Sequence, residues 1–86
     1  MTKNELGLLA ESLEYAAEVF GYYVEEYRRR KDTSVKDSLT RSEVTMATTY
    51  DIAKILGIEN AYKIKEVGIK KGKEKFTESY SAYNAE

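Results

Sequence analysis

At 86 residues the chain has room for one domain with a thin core, and its formal charge of −1 gives no overall pull toward either sign of partner. It has no cysteine and no histidine, which removes disulfides, thiolate metal sites, the commonest zinc ligand and the usual neutral-pH proton shuttle. The composition therefore points away from an enzyme and implies no cofactor and no bound metal. No charged-then-apolar leader and no run of roughly eighteen apolar residues occurs, so a cytoplasmic protein without a membrane segment is expected.

Proline is absent and there are only five glycines, so little interrupts long helices. The expected fold class is all-α, a single domain with a long N-terminal helix at 3–31, a connector at 32–40, a helix-turn-helix-like unit at 41–67 and a short C-terminal helix within 68–86. The charge is divided unevenly along it. Residues 1–27 carry six acids against Lys3, a balance of −5, while the remainder carries thirteen Lys or Arg against nine acids, a balance of +4. A split of this kind suits a chain in which one part meets a polyanion, and equally one whose helix ends are tuned to their dipoles.

In the first helix Leu6, Leu9, Leu13, Ala16, Phe20, Tyr23 and Tyr27 recur at steps of three and four and form a packing seam. A second stripe, Leu8, Tyr15, Val19 and Tyr22, lies on another side and needs a cover of its own. A helix of about 28 residues is about 42 Å long, whereas a compact globule of this size is about 30 Å across. Pairing with a second copy would bury both the overhang and the second stripe, which marks these four residues as a dimer or partner surface. A bend near Gly21 is the alternative. Glu25 and Glu26 stand four residues before Arg29 and Arg30, the favourable order for helical ion pairs, and the basic run at 28–31 complements the helix end. Glu11, Glu18 and Glu25 share a seven-residue spacing and read as a solvated outer face.

Residues 32–40 lack periodicity and are rich in cap formers. Thr40 with Glu43 spells a capping box, and Thr48 with Asp51 a second, so either one helix runs 41–56 or a short one gives way to another at Thr49. Gly57 suits the left-handed position after a helix, with Ile58 folding back on Ala53 or Ile52. Ala61, Ile64 and Val67 share a face of the next helix. Gly68 followed by Ile69 repeats the stop signal, so 68–72 reads as a turn, and Phe76, Tyr80 and Tyr83 then recur at helical steps. A lysine-rich β-wing at 67–78 is the other reading of that tail.

The stretch from Thr49 to Ile58 resembles the first helix and turn of helix-turn-helix DNA-binding proteins, including those of the lactose-repressor type. Ala53 is small where a second helix must cross, Gly57 reverses the chain, and Ile52, Leu56 and Ile58 are placed to pack between the helices. The resemblance covers about 20 of the 86 residues. Where the family places an apolar residue six positions after the glycine this chain has Lys63, with Ile64 one step later. The resemblance implies that the helix from about Asn60 to Val67 lies in the major groove of double-stranded DNA. Asn60 and Lys63 would then meet base edges, while Tyr62, Lys65, Lys70, Lys71, Lys73 and Lys75 meet phosphates.

Two functions follow as expectations. One is a small, dimeric DNA-binding regulator of phage or mobile-element type. The other is a helical protein–protein interaction module, an inhibitor or adaptor that turns the apolar, acidic first helix toward a host or phage protein.

Overall fold

Three α-helices, α1 Lys3–Arg30, α2 Thr33–Ile55 and α3 Ala61–Asn84, account for the fold, with no strand among the described residues. The computed structural model describes residues 1–84. The last two residues of the expected C-terminal segment, and the side chain of Tyr83, lie outside the described set.

A capping box starts α1: Glu5 N–H donates to the Thr2 hydroxyl and Thr2 N–H to the Glu5 carboxylate, each at 3.2 Å. The helix is unbroken through Gly21 and does not fold back there, the alternative that the sequence offered. It ends at Lys31, which takes a left-handed φ of 52° and donates its N–H to the Tyr27 carbonyl at 2.8 Å. Arg28, Arg29 and Arg30 fill the last turn, and the expected pairs form, Glu25 with Arg29 at 3.1 Å and Glu26 with Arg30 at 3.7 Å.

The connector expected at 32–40 is helix. Asp32 accepts from Ser34 N–H at 2.9 Å, and α2 then runs unbroken to Ile55. Neither internal capping box starts a helix. The hydroxyls of Thr40, Thr45 and Thr49 donate instead to the carbonyls of Lys36, Arg41 and Thr45 at 3.0, 3.1 and 2.8 Å. Cap-forming residues become helix interior here because α2 packs on α1 through Met46 and Ala53, with Val35 and Leu39 half-buried in the same helix, so tertiary burial overrides local preference.

At the end of α2 the sequence reading holds. Gly57 has φ 87°, Gly57 N–H reaches the Lys54 carbonyl at 3.2 Å, and Ile58 N–H reaches that of Ala53 at 2.9 Å. This double closure is a Schellman turn, and Ile58 packs on the cluster that contains Ala53.

Neither the turn at 68–72 nor the β-wing at 67–78 exists, since α3 passes through both. Gly68 and Gly72 are buried against α1. A Cβ on Gly68 would stand 2.6 Å from the Glu14 carbonyl oxygen and 2.7 Å from the Ala17 Cβ. One on Gly72 would collide with the Glu18 carbonyl, and one on Gly21 with the backbone of Ile69. The two helices thus touch backbone to backbone along Ala17-x-x-x-Gly21 and Gly68-x-x-x-Gly72, a contact that only residues without side-chain bulk allow.

Leu13 of α1 packs with Ala53 and Ala61 at the α2–α3 corner, and the Ala16–Ala17 step packs with Met46 of α2, with Phe20 and Ile69 alongside. Tyr22 meets Phe76 further along, so α1 and α3 run parallel with α2 antiparallel between them in sequence. Both α2 and α3 lie along α1 but scarcely meet each other. The result is a slab of 48 × 23 × 16 Å with α1 in the middle. Three helices side by side at about 9 Å spacing account for the intermediate dimension.

Candidate interaction surfaces

The second stripe of α1 stays uncovered by its own chain. Leu8 is 63% exposed and Tyr15 69%, while Val19 and Tyr22 are half-buried. Grooves flank the stripe on both sides. Toward α2, a groove of about 600 Å³ is lined by Leu8, Glu11, Ser12, Tyr15, Ala16 and Val19 together with Ser42, Thr45 and Thr49. Toward α3, a smaller one of about 190 Å³ runs beside Tyr15, Val19 and Tyr22 to Gly72 and Lys75.

The local sequence explains the character of these grooves. Ser12, Ser42, Thr45 and Thr49 each donate their hydroxyl hydrogen to a carbonyl of their own helix, at 2.9, 2.8, 3.1 and 2.8 Å. The Ser and Thr hydroxyl hydrogens are thus taken up by their own helices, so that the wall they form is small and mostly apolar, with Glu11 and the Tyr15 phenol as the other polar groups of the lining. Tyr22 is held edge-on by Tyr23 and Phe76, with centroids at 5.8 and 5.2 Å, which makes it a fixed aromatic wall.

Charges on the α3 side are paired within the chain, while Glu11 in the lining of the larger groove forms no ion pair among the described residues. Lys71 Nζ lies 2.9 Å from Glu14 Oε1, and Lys75 pairs with Glu18. The Glu14 carboxylate, by hydrogen bond and by charge, holds the Lys71 ammonium above its ordinary pKa. Glu18 and Glu25 are not the solvated face the sequence suggested. Glu25 is buried, accepting from Arg28 Nε at 2.9 Å and Arg29 Nε at 3.1 Å.

The residues expected to meet DNA are spread over several environments. Asn60 and Lys63 are exposed at the start of α3, beside a depression shared with Glu14, Ile64 and Val67. Tyr62 is exposed, but Lys65 is drawn inward, its Nζ 4.5 Å from the Tyr50 ring centroid, 4.9 Å from that of Tyr62 and 3.8 Å from Glu66. Lys71 and Lys75 are engaged by α1 as described. Lys63, Lys70 and Lys73 are exposed and form no ion pair among the described residues, and Glu66 and Glu74 are exposed on the same helix.

At the corner, Ile64 rather than Lys63 packs on the Leu13 cluster, so the one-step offset in the family pattern is absorbed by the fold. Ile52 and Leu56 do not pack between helices as the resemblance implied, each being 43% exposed. Nor does a short helix project from the corner, because α3 lies along α1.

Sequence reasoning found the stripe but missed the pairing of its rim. The usable signal was a matched spacing of four, Glu14 and Glu18 on one helix facing Lys71 and Lys75 on another. Comparison of the chain with protein families, with curated proteins and with solved structures finds no match.

Proposed function

We propose that the chain is a helical protein–protein interaction module, adaptor or inhibitor in kind, whose working surface is the Leu8–Tyr22 face of α1. The observation that supports this is Tyr15, an aromatic side chain 69% exposed between two grooves on the helix that forms the middle of the fold. Contiguous exposed apolar surface is costly to keep on a monomer and marks sites of association, where tyrosine is enriched.

A DNA-binding regulator is the second reading. Its support is narrower: Lys63, Lys70 and Lys73 on α3, exposed and without an ion pair among the described residues, and Asn60 just before that helix. Internal neutralisation of Lys71 and Lys75 weakens it, since a paired lysine releases fewer counterions from a phosphate backbone.

Two measurements on the whole chain separate these readings. With a benzophenone amino acid in place of Tyr15, irradiation in cells is expected to give protein adducts, and the same group in place of Lys70 is expected to give none. Titration with generic duplex DNA at low ionic strength is expected to show no binding. Duplex affinity that falls steeply with salt and vanishes on Lys63→Glu, Lys70→Glu and Lys73→Glu would favour the regulator instead.

A further inference from the structure

We infer that the face of α1 is covered by a second copy of this chain in a two-fold pairing centred on Tyr15. This rests on the reading of that face as an interaction surface and names its occupant.

Area is the first argument. A compact monomer of 9.8 kDa exposes about 5,200 Å², whereas this chain exposes 6039 Å². The excess is close to the roughly 800 Å² that each partner gives to a standard interface. One pairing of ordinary size brings the exposed surface per chain to what its mass predicts, and the 48 × 23 Å broad face of the slab is large enough to supply it.

Charge is the second. A two-fold interface brings each surface against itself, so an uncompensated charge of one sign near the axis repels its own image. On this face Glu18 is already neutralised by Lys75 of the same chain, while Glu11, exposed in the lining of the larger groove, forms no ion pair among the described residues. The face then presents one open acid per chain, which a two-fold pairing accommodates with Glu11 off the axis and open to water.

Shape is the third. Projections and recesses occur on one face: Leu8 and Tyr15 stand out, and the Ser- and Thr-walled groove beside them, about 600 Å³, has the volume for side chains of that size. Tyr15 is seven residues from both Leu8 and Tyr22, the midpoint of the stripe, and whatever occupies the axis must tolerate meeting itself. An uncharged aromatic ring does so.

The test is sedimentation velocity of the full chain from about 1 to about 300 μM. The wild type is expected to move from 9.8 kDa to twice that mass. Leu8→Glu with Tyr15→Glu, both at exposed sites, is expected to weaken association at least about thirtyfold with unchanged helical circular dichroism. Lys70→Glu with Lys73→Glu, on the far side of α3, leaves it unchanged. A wild type that stays at 9.8 kDa throughout overturns the inference, as does a dimer indifferent to the Leu8 and Tyr15 changes.

Should the acidic variant lose helix, single cysteines decide, because the chain has none of its own. Oxidation is expected to link Tyr15→Cys chains at least about tenfold faster than Lys70→Cys chains, and equal rates overturn the pairing. A monomeric wild type whose benzophenone at position 15 captures a different protein removes the second copy and leaves the interaction module standing. A monomer with no adduct removes both.

Discussion

Glu25 shows how one side chain ties two helices together. Its carboxylate is buried and holds Arg28 and Arg29, and the guanidinium of Arg29 then lies 5.2 Å from the Tyr80 ring centroid; Arg30, paired with Glu26 instead, lies 5.8 Å from that of Phe76. The Arg28 hydrogen bond, the largest influence, lowers the Glu25 pKa below its ordinary value of 4.5, outweighing the opposing effect of burial. A carboxyl with a lowered folded-state pKa contributes stability that is complete above the unfolded value and is lost as pH falls through the folded one. Urea unfolding followed against pH is therefore expected to show stability declining from about 4.5 downward. Glu25→Gln is expected to flatten that decline and to cost about 1–3 kcal/mol at neutral pH. Asp32, whose pKa is also lowered by the Ser34 N–H, keeps part of the slope in the variant. Identical slopes in both chains would place the acid sensitivity elsewhere.

Among the elements, the contact of α1 with α3 shows most clearly what a sequence hides. Glycine breaks helices when nothing else needs it and joins them when two backbones must touch, and the letters are the same in both cases. Gly57 was legible as a turn because a long helical pattern ended there and an apolar residue followed. Gly68 gives the same local signal, and only the facing Ala17 and Gly21, some fifty positions away, decide that the helix continues. The connector expected at 32–40 is helix for the same reason: its Ser, Thr and Asp favour caps until the rest of α2 packs on α1 through Met46 and Ala53. The Leu8–Tyr22 stripe was legible because it is a property of one helix alone, whereas the lysines of α3 depended on partners in another. The glycines give a direct test by denaturant titration. Gly7→Ala, with nothing within 4 Å of the new methyl, is expected to stabilise the chain by about 1 kcal/mol. Gly68→Ala gains the same helix preference yet is expected to destabilise by about 1–3 kcal/mol, because its methyl meets the Glu14 carbonyl. Stabilisation by both would mean that the helices are not in close backbone contact.

For the whole molecule the governing fact is its slab shape. Its radius of gyration is 14.2 Å against about 12 Å for a compact chain of this length. The sequence argument for pairing began from a first helix too long for its domain. Since α2 and α3 are nearly as long as α1, helix length alone does not call for a partner, and the case rests on the uncovered face and the surface it exposes. Leu13 and Phe76 are the largest side chains fully removed from solvent, so burial across that face would add substantially to a slender interior.

The glycine contact also fixes the order in which the molecule comes apart. Interlocked backbones and the Glu14–Lys71 and Glu18–Lys75 bridges hold α1 to α3, while α2 is held chiefly through Met46, Tyr50 and Ala53 and joined by two short corners. Amide protons of α2 are expected to trade for deuterium well before those of residues 13–21 and 68–76. Because Ser42, Thr45 and Thr49 wall the groove that a second copy would fill, raising the protein concentration should slow α2 more than the other two helices.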